Sequence, residues 1–330
     1  MKLALLFPLH LREAMQVLDT LEDLEEIRVR IGQPLFVYGK CRELLLVKSA
    51  GHFLFRESTK RSSCEENCGE TTKSWDCESF YRVTEKDLRE MQNYISNYSL
   101  YAYKEELKNG FITIEGGHRI GVAGAVINKD GKVSGISHLT FFNIRVAHEK
   151  KGCAKSVLGY LRQEETIYNT LLVSAPGAGK TTLLRDCIRS LSYGECGMAG
   201  NKIAVVDERS ELAASFHGIP QNDVGPRTDV LDGCNKPEGI MMLLRTMSPQ
   251  IIAVDELGGE ADFYAVEQAA YCGCRILGTI HAGSIADLKE KAISKKWCER
   301  DVFERFVFVK KEADGNRSFH VYNQKWECLC

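Results

Sequence analysis

Short apolar runs alternate with helical patterns along the second half of this chain, and that alternation restricts its possible folds. The apparent strands are residues 170–174, 202–207, 250–255, 275–281 and 305–310, and the helical stretches are 180–192, 238–247, 260–272 and 284–296. Strands that alternate with helices form a largely parallel sheet with helices on its faces. The pattern therefore predicts an α/β domain over residues 151–330.

The first half of the chain lacks this alternation, and residues 1–150 predict a smaller α+β domain. A helical pattern covers residues 11–24, and Thr84 begins a second helix. Strand-like alternation covers residues 26–39 and, with a hairpin, residues 110–133. The two halves together give the 330 residues two separate cores.

Composition indicates an ordinary globular protein of the reducing cytosol. The formal net charge is -2, which argues against a global basic field for nucleic acid, and no apolar stretch approaches the roughly 18 residues of a spanning helix. Thirteen scattered cysteines without a strong secretory signal predict a cytoplasmic protein with free thiols. Residues 57–79 are polar, so we expect an exposed insertion, and their three cysteines lack the nearby fourth ligand of a usual zinc site.

Residues 174–181 carry the pattern of a phosphate-binding loop between a strand and a helix. Only the first position departs from the usual pattern, because Ser174 replaces a glycine. We expect Lys180 to reach the β- and γ-phosphates of a nucleoside triphosphate, and the hydroxyl of Thr181 to bind Mg²⁺. The predicted nucleotide-binding residues are Ser174, Ala175, Pro176, Gly177, Ala178, Gly179, Lys180, Thr181 and Thr182.

Two further predicted strands end in carboxylates. One ends in Asp255 and Glu256, which suits a site where Asp255 holds Mg²⁺, partly through water, and Glu256 orients or polarises the attacking water. The other ends in Asp207 and Glu208 and is followed by Glu211. One of these carboxylates is a candidate general base, and the alternative is a surface ion-pair cluster.

Three other side chains are candidates for catalysis. His281 ends the strand 275–281, at the edge of the sheet where ligands gather, although a lone histidine is more often structural. Arg227 and Arg245 are candidates for neutralising phosphate charge, although most arginines pair with surface carboxylates.

The order of these motifs resembles the secretion ATPase superfamily, the hexameric motors of type II and type IV secretion and of type IV pili. Three stretches of the sequence are more specific: "VVDERSEL", "DVGPRTDVLDGCNKPEGI" and "GTIHAGS". They resemble the stage III sporulation protein AA family of endospore-forming bacteria more closely. The superfamily's Walker A, acidic "Asp box", Walker B and "His box" correspond here to residues 174–181, 207–211, 250–256 and 279–281.

This resemblance implies a RecA-like P-loop NTPase core that hydrolyses ATP with Mg²⁺. It further implies a cytoplasmic motor, in a ring of six subunits, that powers a secretion-like channel between mother cell and forespore. The chain would then reach the membrane through membrane-anchored partner proteins. The resemblance also maps the base-like glutamate to Glu211 and the Walker B glutamate to Glu256, and it makes Arg119 and Arg145 candidates for cations from the N-terminal domain.

Two alternatives remain at this point. A nucleic-acid-translocating RecA-like ATPase should carry clustered basic and aromatic residues for a strand channel, and the sequence has no such cluster, so no nucleic acid is expected. A nucleotide-gated scaffold without turnover is disfavoured because Lys180, Thr181, Asp255 and Glu256 are all present.

Overall fold

The computed structural model of the chain separates into two compact units, Met1–Ala147 and His148–Cys330. It describes residues 2–40, 42–49, 51–58, 80–96, 103, 107, 110–129, 131–197, 199–312 and 316–330. The greater part of the predicted polar insertion therefore lies outside the described residues. Among the described residues, no helix is both long enough and apolar enough to cross a membrane.

The N-terminal unit contains an antiparallel sheet of seven strands. The strands are β1 Leu24–Arg30, β2 Phe36–Gly39, β3 Glu43–Ser49, β4 His52–Glu57, β5 Phe111–Thr113, β6 Arg119–Lys129 and β7 Lys132–Arg145. Their order across the sheet is β4-β3-β2-β1-β7-β6-β5. The sheet contains the strands that the alternation in residues 26–39 and 110–133 predicts.

The helices of this unit are shorter than the sequence pattern suggests. Helix α1 covers Leu9–Met15, and 3₁₀ turns cover Leu3–Leu6 and Gln16–Thr20, where a single helix over residues 11–24 was expected. Helix α2 covers Glu85–Ile95 and begins as predicted, because the Thr84 side chain accepts a hydrogen bond from the backbone N–H of Asp87.

The C-terminal unit is built on a second sheet of seven strands, preceded by the short ribbon of β8 Arg162–Gln163 and β9 Thr166–Ile167. The sheet strands are β10 Thr170–Ser174, β11 Ile203–Asp207, β12 Thr228–Asp232, β13 Ile251–Val254, β14 Arg275–His281, β15 Arg305–Lys311 and β16 Arg317–Asn323. Their order is β12-β11-β13-β14-β10-β15-β16, and every neighbouring pair is parallel except β15 and β16.

The helices of this unit precede the ribbon or connect strands of the sheet. They are α3 Lys155–Leu161, α4 Lys180–Tyr193, α5 Lys236–Thr246, α6 Glu260–Tyr271, α7 Ile285–Glu290 and α8 Ala292–Glu299. Apolar side chains pack on both faces of the sheet, so that Leu172 belongs to one core with Leu184 and Ile188, and the next residue, Val173, belongs to the other with Phe263. A parallel sheet covered on both faces has continuously apolar strands, which is why these strands were visible in the sequence.

The edge strands of this unit and a break in its last helical stretch were not predicted. Strands β12 and β16 lie at the two edges of the sheet, and their mixed polar composition lacks the apolar run of a central strand. Residues 284–296, predicted as one helix, form two, because Lys291 adopts an extended conformation between α7 and α8.

The parallel order places the carboxyl ends of β10, β11, β13, β14 and β15 at one edge, where ligands of such sheets bind.

Candidate nucleotide-binding and hydrolysis site

The predicted phosphate loop joins the end of β10 to the start of α4 at that edge. Gly177 and Gly179 have φ of 75° and 102°, a region that only glycine adopts readily, so both glycines are required by the backbone. Ser174 does not have a positive φ, which explains why a serine is tolerated where the usual pattern has glycine. Helix α4 begins at Lys180, and its first N–H groups lack partners within the helix, which is the arrangement that binds an anion.

Arg317 of β16 also supports the loop, and sequence reasoning missed it. Its Nε–H donates a hydrogen bond of 2.8 Å to the carbonyl oxygen of Ala178. A side chain at Gly179 would overlap the guanidinium of Arg317, so the glycine is needed for this contact as well as for its φ. The loop is therefore held from the β16 side by a residue that is remote in sequence.

Lys180 is almost completely buried, at 5% exposure. Its ammonium lies 3.3 Å from Nδ1 and 3.4 Å from Nε2 of His281, which places the predicted histidine directly at the loop. Burial lowers the pKa of Lys180, and the charges of Asp255, Glu256 and Glu211 partly oppose that effect. The same three carboxylates thus share an electrostatic environment with the loop lysine.

Thr181 and Asp255 meet as the predicted Mg²⁺ ligands should. The hydroxyl of Thr181 donates a hydrogen bond of 2.7 Å to Oδ2 of Asp255, and the hydroxyl of Thr279 donates to the other carboxylate oxygen, Oδ1. Within the described part of the chain, no three His, Cys, Asp or Glu side chains form a metal cage. One carboxylate and one hydroxyl nevertheless fit Mg²⁺, which is usually held by few protein oxygens together with substrate phosphates and water.

Glu256 lies beside this pair and faces two basic side chains. Its Oε1 is 3.2 Å from Nε2 of His281, and its Oε2 is 2.7 Å from Nη1 of Arg209. Partial burial acts to raise the pKa of Glu256, but the hydrogen bond from His281 and the charges of Arg209, His281 and Lys180 hold it below its usual value. Glu256 has a φ of 54°, and its backbone N–H donates to Thr279, so its backbone position is constrained.

The two other carboxylate candidates have different surroundings. Glu208 forms an ion pair with Lys236 at the start of α5. Glu211, by contrast, is one of the three carboxylates whose charge acts on Lys180. Its electrostatic effect on the loop lysine favours Glu211 over Glu208, and the catalytic role of either stays a prediction.

The backbone around Glu211 is held by the buried carboxylate of Asp207 and by the partly buried guanidinium of Arg185. The carboxylate of Asp207 accepts hydrogen bonds of 2.8, 3.0 and 2.8 Å from the N–H groups of Glu211, Leu212 and Ala213. Arg185 of α4 donates bonds of 2.6 Å to the carbonyl oxygens of Glu211 and Leu212. Burial raises the pKa of Asp207, and the three backbone N–H groups oppose it. Asp207 therefore holds the backbone of the segment that carries Glu211.

The predicted arginines are spread over the chain. The guanidinium of Arg227 donates to the carbonyl oxygen of Ser192, near the far end of α4, about 18 Å along the helix from Lys180. Arg245 is exposed in the last turn of α5. Arg119 of β6 and Arg145 of β7 are opposite each other in the register of these two strands of the N-terminal unit. Arg227 is thus too distant to reach a phosphate in its own loop, and the arginine roles stay predictions.

Comparison with known proteins gives the family. The family model described as "Sporulation stage III, protein AA" matches residues 63–329. The Stage III sporulation protein AA of Bacillus subtilis (strain 168) is 41% identical over 249 residues, which cover 76% of this chain and 81% of that protein. The chain belongs to the sporulation stage III protein AA family.

Solved structures of a pilus retraction motor and of an ATPase have the same fold as this family member. The pilus retraction motor PilT with bound ADP matches with a TM-score of 0.55 and 15% identity, over 97% of this chain and 82% of that one. The ATPase DotB of Yersinia pseudotuberculosis matches with a TM-score of 0.56 and 13% identity, over 96% and 80%. At this identity the likeness concerns the fold, and it confirms the predicted RecA-like P-loop core with a smaller α+β N-terminal domain.

Proposed function

We propose that this protein is a Mg²⁺-dependent ATPase that acts as the motor of a secretion-like channel complex in endospore formation. The observation that carries the proposal is the convergence of Lys180, Thr181, Asp255 and Glu256 at one phosphate loop. The family relationship and the secretion-ATPase fold support the motor role. The proposed setting is cytoplasmic, with docking on membrane-anchored partners between mother cell and forespore.

Each side chain has a distinct task in the proposed reaction. Lys180 turns from His281 toward the β- and γ-phosphates, whose charge it neutralises. Glu256, ionised because its pKa is lowered, accepts a hydrogen bond from the attacking water and fixes its direction. Thr181 and Asp255 hold Mg²⁺, which supplies positive charge to the phosphate oxygens when bound. Glu211 is the second carboxylate near the loop and the alternative base.

Removing either Mg²⁺ or its hydroxyl ligand is expected to suppress turnover. Phosphate release from ATP should stop in excess EDTA, and Thr181→Ala should lower turnover about 10²-fold because the metal loses a protein oxygen. Thr181→Ser keeps the hydroxyl and serves as the matched control, with turnover close to that of the unmodified protein. The measurement is phosphate release as a function of Mg²⁺ concentration. An unchanged Mg²⁺ dependence in Thr181→Ala would contradict the assignment.

The proposed assembly is a ring, with six subunits as the expected number. The location of Arg227 far from its own phosphate loop supports this proposal, because a cation that neutralises transition-state charge would then come from a neighbour. A head-to-tail contact that repeats and closes produces such a ring.

Active sites that are shared between neighbouring subunits lead to two measurable predictions. Specific ATPase activity should rise with protein concentration as subunits associate. An inactive Arg227→Ala or Arg245→Ala protein should regain part of its activity on mixing with Lys180→Ala. In a mixed ring, a subunit that keeps Lys180 can receive the arginine from a neighbouring Lys180→Ala subunit. Phosphate release and light scattering measure both effects. A fully active monomer with no rescue on mixing would refute the shared site and leave the nucleotide site itself intact.

A further inference from the structure

The carboxylate of Glu256 lies where a side chain has room to move. A cavity of about 570 Å³ adjoins it, and Glu256, Leu257 and His281 are among the residues that line this space. The Glu256 side chain is 27% exposed, so the close packing of a core does not fix its rotamer. A carboxylate that directs one water toward a phosphate needs a single orientation, because small displacements of a reacting group cost large factors in rate. Specific contacts must therefore hold it.

The backbone of Glu256 is already fixed. Its φ is 54°, and its N–H donates a hydrogen bond of 2.8 Å to the hydroxyl oxygen of Thr279. The same hydroxyl donates to Asp255, so the end of β13 is tied to β14. The remaining freedom of Glu256 lies in its side chain.

Two basic side chains hold that side chain, one at each carboxylate oxygen. His281 Nε2 lies 3.2 Å from Oε1, and Arg209 Nη1 lies 2.7 Å from Oε2. His281 also contacts Lys180, which turns to the phosphates in the proposed reaction, so the surroundings of the histidine change when nucleotide binds. Arg209 carries a permanent charge, and its contact therefore does not depend on a protonation state or a tautomer.

The segment that carries Arg209 is held on both sides of this residue. Glu208 pairs with Lys236 at the start of α5, and the hydroxyl of Ser210 donates a hydrogen bond of 2.7 Å to Oδ1 of Asp232. Strands β11 and β13 are neighbours in the sheet, so the segments that follow them start side by side. The guanidinium is thus brought to Glu256 by an anchored backbone.

We propose that Arg209 is a positioning residue for hydrolysis, which acts through Glu256 by holding its carboxylate in the orientation that directs the attacking water. This role rests on the proposed function, since it requires Glu256 to act on that water. An exposed ion pair contributes little to stability, so removal of Arg209, whose side chain is 64% exposed, should leave the fold intact.

The first test separates turnover from binding. Arg209→Ala is expected to lower kcat for ATP about 10- to 100-fold and to leave KM and the unfolding temperature unchanged, because the displaced group acts only in the chemical step. Arg209→Lys keeps a positive charge and should recover part of the loss. Arg89→Ala removes an exposed arginine that pairs with Glu85 in the N-terminal unit and is the matched control. Phosphate release by the full chain with Mg²⁺ gives both constants.

The second test asks whether Arg209 acts through Glu256. If it does, Arg209→Ala should lower single-turnover phosphate release of the Glu256→Gln protein by no more than a few-fold, because the carboxylate that it positions is already absent. Arg209→Gln carries the same expectations and replaces Arg209→Ala if that variant does not fold.

The outcomes separate this role from the proposed function. A kcat loss in Arg209→Ala that nearly disappears in the Glu256→Gln background supports the positioning role. Normal kcat in Arg209→Ala, a change confined to KM, or losses that multiply fully in the double variant overturn it. Equal phosphate release by the unmodified protein and by Lys180→Ala refutes the proposed function, and this inference with it.

Discussion

Lys180→Ala is expected to abolish ATP hydrolysis and to leave the fold intact. The Lys180 ammonium is buried at the start of α4, where it is the cation placed to neutralise the β- and γ-phosphates. Loss of a preorganised charge at transferring phosphates costs at least about 10³-fold in turnover. The fold should survive because burial lowers the pKa of this lysine, so its removal relieves a desolvated charge.

The measurement for this variant combines three readouts. Phosphate release gives turnover, a fluorescent nucleotide analogue gives binding, and circular dichroism with thermal unfolding reports the fold. Lys295→Ala removes an exposed lysine of α8 and should behave as the unmodified protein. Turnover of the Lys180→Ala protein within a few-fold of normal would remove the phosphate loop from the proposed mechanism.

Local patterns explain why much of the site could be predicted from the sequence. A phosphate loop is a continuous strand–loop–helix segment, and its glycines are visible because the backbone at Gly177 and Gly179 requires positive φ. Asp255 follows an apolar strand that is buried on both faces, so its position at the end of a central strand was also readable. The motif order then indicated the family.

Contacts between distant segments explain what could not be predicted. Arg317 and Ala178 are 139 residues apart, and β16 has too mixed a composition to be recognised as part of the site. Arg185 was visible only as one more polar position on α4, yet it holds the backbone of Glu211 and Leu212. No local sequence pattern identifies these hydrogen-bond partners, because they depend on which loops the order of the strands brings together.

Glu256→Gln is expected to retain ATP binding and to lower turnover by about 10²-fold or more. The substitution keeps the shape of the side chain and removes its negative charge, which is the property that orients and polarises the attacking water. Lys180, Thr181 and Asp255 are unchanged in this variant, so the phosphates and Mg²⁺ should still bind. A loss confined to turnover is therefore the signature of a group that acts in the chemical step.

The matched control for this substitution is Glu299→Gln, since Glu299 is an exposed carboxylate at the end of α8. Turnover in that control should remain within a few-fold of normal. Glu211→Gln distinguishes the two candidate bases: a loss as large as that of Glu256→Gln assigns a catalytic task to both carboxylates, and a small loss leaves Glu256 as the water-orienting group. Single-turnover phosphate release, measured with nucleotide affinity on the same samples, separates these cases. Normal turnover in the Glu256→Gln protein would exclude Glu256 from the chemical step. Because nucleotide affinity is measured on the same samples, a change in binding cannot mask a loss of turnover.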